Sequence, residues 1–64
     1  MRFGPFDVVA SEHVRAGTMV AIEGDGTLVL APIDGSLAPI AVAIEDLDTP
    51  TVVLDLKRGW AMRP

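Results

Sequence analysis

Few side chains in this chain could perform chemistry, and the first candidates are Ser11 and His13. A serine acts as a nucleophile only when a base removes its proton and a third group orients that base. Two residues apart on a strand, Ser11 and His13 would share a face. No nucleophile-elbow or oxyanion motif surrounds either residue. The pattern therefore favours a surface turn, and the sequence predicts no catalytic residue and no enzyme.

A second candidate is the acidic group Glu45, Asp46 and Asp48, because hard cations prefer carboxylate oxygens. Its spacing does not match a calcium-binding loop, and the glycine that such a loop needs at its turn is absent. The chain has no Cys and one His, which excludes disulfides and thiolate zinc sites. The residues favour a solvated acidic loop, and we expect neither a metal nor a cofactor.

Two further motifs lack the residues that would make them specific. Gly24-Asp25-Gly26 is followed by neither a GK[ST] sequence nor a predicted helix, so it is not a phosphate loop. Biotinyl and lipoyl carrier domains are small β-sandwiches with a modified lysine at a hairpin tip. The only lysine here, Lys57, ends a predicted strand without the flanking methionines of the biotin motif. We therefore expect no small-molecule substrate.

Charge and hydrophobicity limit the classes of partner. The formal net charge is −4, with five Lys and Arg residues. Phosphate binding needs a basic stripe, and only Lys57-Arg58 with Arg63 approaches one. No apolar run reaches the roughly 20 residues of a membrane span, and the N-terminus lacks the apolar segment of a signal peptide. We expect neither a nucleic acid nor a membrane as a partner, and a chain made and kept in a cytoplasm or in something assembled there.

Hydrophobic alternation with a period of two predicts strands along most of the chain. The Gly24-Asp25-Gly26 tip predicts a hairpin between the second and third strands. Five prolines and six glycines leave little room for helix. The sequence therefore predicts an all-β fold, a small antiparallel five- to six-stranded β-barrel or sandwich with little or no helix. The predicted strands cover Asp7–Ala10, Thr18–Glu23, Thr27–Ala31, Pro39–Glu45, Thr51–Lys57 and a short segment with Trp60 and Met62.

The 64 residues are expected to form a single β domain, because a core of this size cannot be divided further. We assign residues 1–6 to an N-terminal arm, 7–57 to the β-barrel and 58–64 to a C-terminal arm. The core is expected to hold the bulky alternating side chains of the strands, which are Val20, Ile22, Leu28, Leu30, Ile40, Val42, Ile44, Val52, Leu54 and Leu56.

The amount of apolar surface indicates association with other chains. Half of the residues are hydrophobic, whereas a domain of about 60 residues buries only about 60% of its surface. Without disulfides or metals, partner chains are the remaining means of stabilising so small a domain. Trp and Met are favoured at interfaces, although bulky residues near the ends could also seal a barrel. We predict a protein interface at Phe3, Phe6, Trp60 and Met62.

The order of these signals resembles small bacteriophage head decoration proteins of the β-barrel type. The resemblance runs from Val8-Val9-Ala10 through the Ala16-Gly17 turn and the Glu23–Leu28 hairpin to the alternating segment Pro39–Glu45 and the closing strand Thr51–Leu56. It implies a non-catalytic structural protein that binds the outer surface of an assembled head. The implied partner is the major capsid protein, the implied oligomer is a homotrimer, and the implied location is the capsid surface of a virion, after synthesis in the host cytoplasm. The alternative is a small SH3-like or OB-like interaction module in a cellular protein complex.

Overall fold

The computed structural model describes residues 4–64, which form six strands and no helix. The all-β class is confirmed, and a strand forms near each of the six predicted positions. The first begins one residue earlier than predicted, and the second to fifth are shorter. The six strands are β1 (Phe6–Val9), β2 (Met19–Ile22), β3 (Leu28–Leu30), β4 (Ala41–Ala43), β5 (Thr51–Asp55) and β6 (Trp60–Met62).

All six strands belong to one mixed sheet with the order β1-β5-β6-β4-β2-β3. Four of the strand pairs are antiparallel, but β4 and β6 are parallel. The prediction of a purely antiparallel arrangement is therefore wrong for this pair. Parallel neighbours require a long connection, and residues 44–59, which include β5, provide it.

The sheet curls until its two edge strands meet, forming a half-barrel. Ala10, directly after β1, forms a parallel bridge with Leu28 of β3. Ser11 donates its backbone N–H and its hydroxyl to the Leu28 carbonyl, at 3.0 and 3.2 Å. A second bridge joins Val14 to Leu47, with N···O distances of 3.0 and 2.7 Å. These contacts close the half-barrel around its core.

The predicted core is only partly confirmed. Val20, Leu28, Val52 and Leu54 are buried, and Ile22, Val42 and Leu56 are half-buried. The prediction is wrong for Leu30, Ile40 and Ile44, which are exposed. Leu30 lies on an edge strand, and the two isoleucines flank β4. The core cluster comprises Val14, Val20, Leu28, Ala41, Ala43, Leu47, Val52, Leu54 and Ala61.

Strand β4 faces the opposite way from the prediction. Ala41 and Ala43 are 3% and 1% exposed, whereas Ile44 is 46% exposed. Ala41 pairs with Val20, and Ala43 pairs with the equally small Ala61. The largest buried side chains come from other segments, so β4 contributes methyl groups to an interior that is already filled. Alternation defines two faces of a strand, but it does not say which is inside when both are apolar.

This orientation predicts a larger loss of stability from a substitution at Ala43 than from one at the adjacent Ile44. Ala43→Leu should lower the free energy of unfolding by about 1–3 kcal/mol, because a larger side chain overpacks a closed interior. Ile44→Ser should cost less than about 1 kcal/mol, because Ile44 already faces solvent. Urea unfolding followed by circular dichroism measures both. A larger loss for Ile44→Ser would mean that the isoleucines face inward.

The β2–β3 hairpin has the turn that its sequence predicts. Gly26 adopts a φ of 89°, and its N–H donates to the Glu23 carbonyl at 2.9 Å. The Glu23 N–H in turn donates to the Thr27 carbonyl at 2.9 Å. The Asp25 carboxylate accepts a hydrogen bond from the Thr27 N–H at 2.9 Å, and this bond lowers the pKa of Asp25. The three-residue loop therefore needs glycine at position 26.

Gly26→Ala should lower the free energy of unfolding by about 1–2 kcal/mol, the usual cost of a left-handed conformation for an L-residue. Gly24→Ala is the matched control. An added Cβ has no neighbour within 4 Å at either position, and only Gly26 has a positive φ. The Gly24 variant should therefore stay close to the wild type in urea unfolding, and equal losses at both positions would refute the conformational explanation.

Parts of both segments that were assigned to arms belong to the sheet. Residues 60–62, predicted to lie in a C-terminal arm, form β6 between β5 and β4. Ala61 is fully buried there. Phe6, assigned to the N-terminal arm, begins β1 and pairs with Leu54. The sequence could not place β6 centrally, because its position depends on pairing with two strands that precede it in the chain.

Candidate protein-binding surface

The side of the sheet opposite to the core carries an apolar surface, which is bordered by Asp55, the partner of Trp60 in β5. Residues paired across neighbouring strands present their side chains to the same face. Met19 of β2 pairs with Val42 of β4, and Val42 pairs with Trp60 of β6. These three side chains therefore form an apolar row across three adjacent strands.

A second apolar row lies beside the first. Val53 of β5 pairs with Met62 of β6. The Ile44 N–H donates to the Ala61 carbonyl at 3.0 Å, which continues the parallel register and places Ile44 next to Met62. We call the two rows together the outer apolar face, which consists of Met19, Val42, Ile44, Val53, Trp60 and Met62.

This apolar surface is accessible to solvent. Met19 and Ile44 are each 46% exposed, and the other four side chains are half-buried. A sheet with one solvated face normally alternates apolar and polar residues. Here β4 and β6 are apolar on both faces, with only alanines directed inward. The larger side chains of these two central strands thus lie outside the core.

The four predicted interface residues do not lie on one surface of the structure. Trp60 and Met62 both lie on the outer apolar face, in β6. Phe6 lies on the opposite face, where it pairs with Leu54 and packs against the core. Phe3 falls outside the described residues. The sequence reasoning missed Met19 and Val53 as surface residues, and it assigned Val42 and Ile44 to the core.

Trp60 is held beside an arginine by the turn that precedes β6. The Asp55 carboxylate accepts a hydrogen bond from the Arg58 N–H at 3.3 Å, and the Asp55 carbonyl accepts one from the Gly59 N–H at 2.8 Å. The Arg58 guanidinium carbon lies 5.2 Å from the centroid of the Trp60 ring, within cation–π range. Asp55 is only 8% exposed. The buried carboxylate thus fixes the turn that places Arg58 next to Trp60.

The other end of β6 is fixed by Glu45 and Arg63. Glu45 Oε2 accepts a hydrogen bond from the Arg63 backbone N–H at 2.9 Å, and Oε1 accepts one from Nε at 3.1 Å. Arg63 Nη2 also lies 3.1 Å from Oε1. The backbone N–H and then the side chain of Arg63 lower the pKa of Glu45. This pair joins the segment after β4 to the end of β6.

The lowered pKa values of three carboxylates predict how the free energy of unfolding depends on pH. The pKa of Glu45 is lowered in the folded chain, as are those of Asp25 and of Asp34, which accepts a hydrogen bond from the Ser36 N–H. A lowered pKa contributes stability that is present above the unfolded-state pKa and lost as the pH falls through the folded-state pKa. The free energy of unfolding should therefore decrease as the pH is lowered from about 5.

The contribution of Glu45 to this pH dependence can be measured separately. Glu45→Gln should be less stable than the wild type near pH 7, and the difference should shrink as the pH falls, because the wild-type carboxylate then becomes protonated. Urea midpoints at a series of pH values measure the difference. A difference that is constant with pH would contradict this role for the carboxylate.

The Ser11 and His13 side chains are both exposed, and they line one cavity of about 210 Å³ together with Asp48. The Ser11 hydroxyl donates to the Leu28 carbonyl, and across residues 4–64 no hydrogen bond links Ser11 to His13. His13 also lines a cavity of about 260 Å³ with Asp46 and Asp48. The serine hydroxyl therefore serves the closure of the half-barrel.

The acidic group after β4 is divided among separate contacts. Asp46 Oδ1 accepts a hydrogen bond from the Ala16 N–H at 2.9 Å, whereas Glu45 binds Arg63. Within the described part of the chain, no three His, Cys, Asp or Glu side chains are grouped so that they could hold a metal ion.

Residues 4–64 contain no helix that could span a membrane.

Comparisons with models of protein families, with curated proteins and with solved structures gave no match for this chain.

Proposed function

We propose that this chain is a structural, non-catalytic protein that binds the outer surface of a bacteriophage capsid and stabilises it as a decoration protein. The outer apolar face is the observation that carries the proposal. Continuous apolar patches on small proteins mark sites of protein association. Each 100 Å² of such a surface that a partner covers contributes about 2.5 kcal/mol before the costs of association.

The capsid is proposed as the partner because of the resemblance between residues 8–56 and phage head decoration proteins. The partner molecule is then the major capsid protein, and the location is the capsid surface of the virion. A capsid offers many symmetric copies of one binding site, so three linked subunits can bind together with far higher affinity than one. We therefore propose a homotrimer as the binding unit.

Contacts between subunits need apolar surface outside the outer apolar face. Val9 of β1, Leu30 of β3 and Ile40, directly before β4, provide such surface, with exposures of 60%, 37% and 37%. Association through these residues would leave the outer apolar face directed towards the capsid.

Co-sedimentation with undecorated heads tests the proposal. The heads are assembled from the major capsid protein encoded nearest to this gene, and heads already decorated serve as the control. We expect saturable binding to undecorated heads only, and a trimer by light scattering. A monomer that stays in the supernatant would exclude the decoration function. It would leave the SH3-like or OB-like interaction module, which the outer apolar face supports equally.

A further inference from the structure

The Arg58–Trp60 pair carries information about the chemistry of the partner. We infer that the outer apolar face docks a protein surface on which a carboxylate lies beside an aliphatic or aromatic side chain. Arg58 receives the carboxylate, and Trp60 covers the apolar side chain. This inference rests on the proposed function, because it assumes that the partner is a protein.

The guanidinium of Arg58 is positioned but incompletely bonded. The Arg58 side chain is 63% exposed, and its Nε forms an ion pair with Asp55 Oδ2 at 3.8 Å, a distance too long for a hydrogen bond. Within residues 4–64 its terminal nitrogens form no hydrogen bond. Stacking on Trp60 orients the guanidinium in advance, so binding a carboxylate in a bidentate manner costs less conformational entropy.

Charge around β6 has the opposite sign to that of the whole chain. The net charge is −4, yet Lys57, Arg58 and Arg63 are three of its five basic residues. Two carboxylates lie beside these residues, Asp55 in an ion pair with Arg58 and Glu45 in an ion pair with Arg63. The three basic residues exceed the two carboxylates by one charge, so this part of an acidic protein is locally basic and attracts an acidic surface.

Residue types at this site agree with a protein partner. Arginine and tryptophan are the residues most often found at interface hot spots. A nucleic acid would need a basic stripe along the face, whereas the outer apolar face has none of its own. The site thus favours a carboxylate next to an apolar side chain over a phosphate backbone.

The single tryptophan provides a specific probe of binding. The full chain is titrated with the C-terminal amide of N-acetyl-leucyl-glutamate, and in parallel with the C-terminal amide of N-acetyl-leucyl-glutamine, while the indole N–H signal of Trp60 is followed by NMR. We expect the acidic dipeptide to bind at least about threefold more tightly than the neutral one, with the difference reduced at high salt. R58Q should abolish the difference. R15Q, at an exposed arginine in the turn before β2, should retain it.

The outcomes separate this inference from the proposed function. Equal binding of the two dipeptides, no shift with either of them, or an unchanged preference in R58Q would overturn the inference, and head co-sedimentation would still stand as its own test. A single-stranded oligonucleotide that shifts the Trp60 signal at lower concentration would overturn it in favour of nucleic acid. Failure to bind heads together with a clear acidic preference would overturn only the capsid as partner.

Discussion

Replacing Leu54 by alanine is expected to lower the free energy of unfolding by about 3 kcal/mol or more. Leu54 is fully buried in β5, and its neighbours in the sheet are Phe6 and Ala61. Because strands on both sides hold its surroundings in place, the interior cannot collapse around the missing atoms. A small domain has only about 5 kcal/mol of stability, so about 2 kcal/mol would remain and a few per cent of the molecules would be unfolded without urea.

Val53→Ala provides the matched control for this prediction. Val53 is the adjacent residue of the same strand, but it lies on the outer apolar face and is half-buried. Its truncation should cost about 1 kcal/mol or less, because no enclosed cavity forms. Urea unfolding followed by far-ultraviolet circular dichroism compares the two variants. If Val53→Ala were the more damaging, the two faces of β5 would be exchanged.

Local patterns in the sequence were sufficient to predict the strands. Alternating side chains and turn residues act over a few positions, so they can be recognised without knowledge of the fold. The β2–β3 hairpin is the clearest case, because Gly26 has the left-handed conformation that its loop requires. The turn before β6 likewise contains a glycine with positive φ, Gly59 at 73°.

Features that depend on pairing between distant segments could not be predicted in this way. Strand β4 is apolar on both faces, so only its neighbours decide that the alanines point inward. Val14 and Leu47 are core residues joined by a bridge, yet each stands alone between polar residues in a segment that reads as a loop. A single apolar residue flanked by polar ones is the only local signal of their burial.

The candidate site also contains residues that the sequence could identify and residues that it could not. Residue type alone selected Trp60 and Met62, which both lie on the outer apolar face. The other four members of the outer apolar face were not recognised, because the register of β2, β4 and β5 against β6 brings them together. Arg58 was noted in the sequence only as a basic residue beside Lys57. Its stacking on Trp60 depends on the turn held by Asp55.

Trp60→Ala is expected to weaken head binding by about 2 kcal/mol or more, which is roughly 30-fold in affinity. Trp60 is the largest side chain of the outer apolar face, and it lies in β6 with the other members on both sides. The β-sheet signal in circular dichroism should remain, because the indole lies outside the core cluster.

Ile44→Asp is a second variant that does not depend on Trp60. Ile44 is 46% exposed, so the fold should tolerate the substitution, whereas a buried charge in the interface should be costly. Ile33→Ala is the control, since Ile33 is fully exposed and lies outside the outer apolar face.

Co-sedimentation of these three variants and the wild type with undecorated heads, at matched concentrations, is the most direct measurement. The wild type and Ile33→Ala should bind alike, and Trp60→Ala and Ile44→Asp should each bind at least about 30-fold more weakly. Equal binding by all four proteins would show that the outer apolar face does not dock on the capsid.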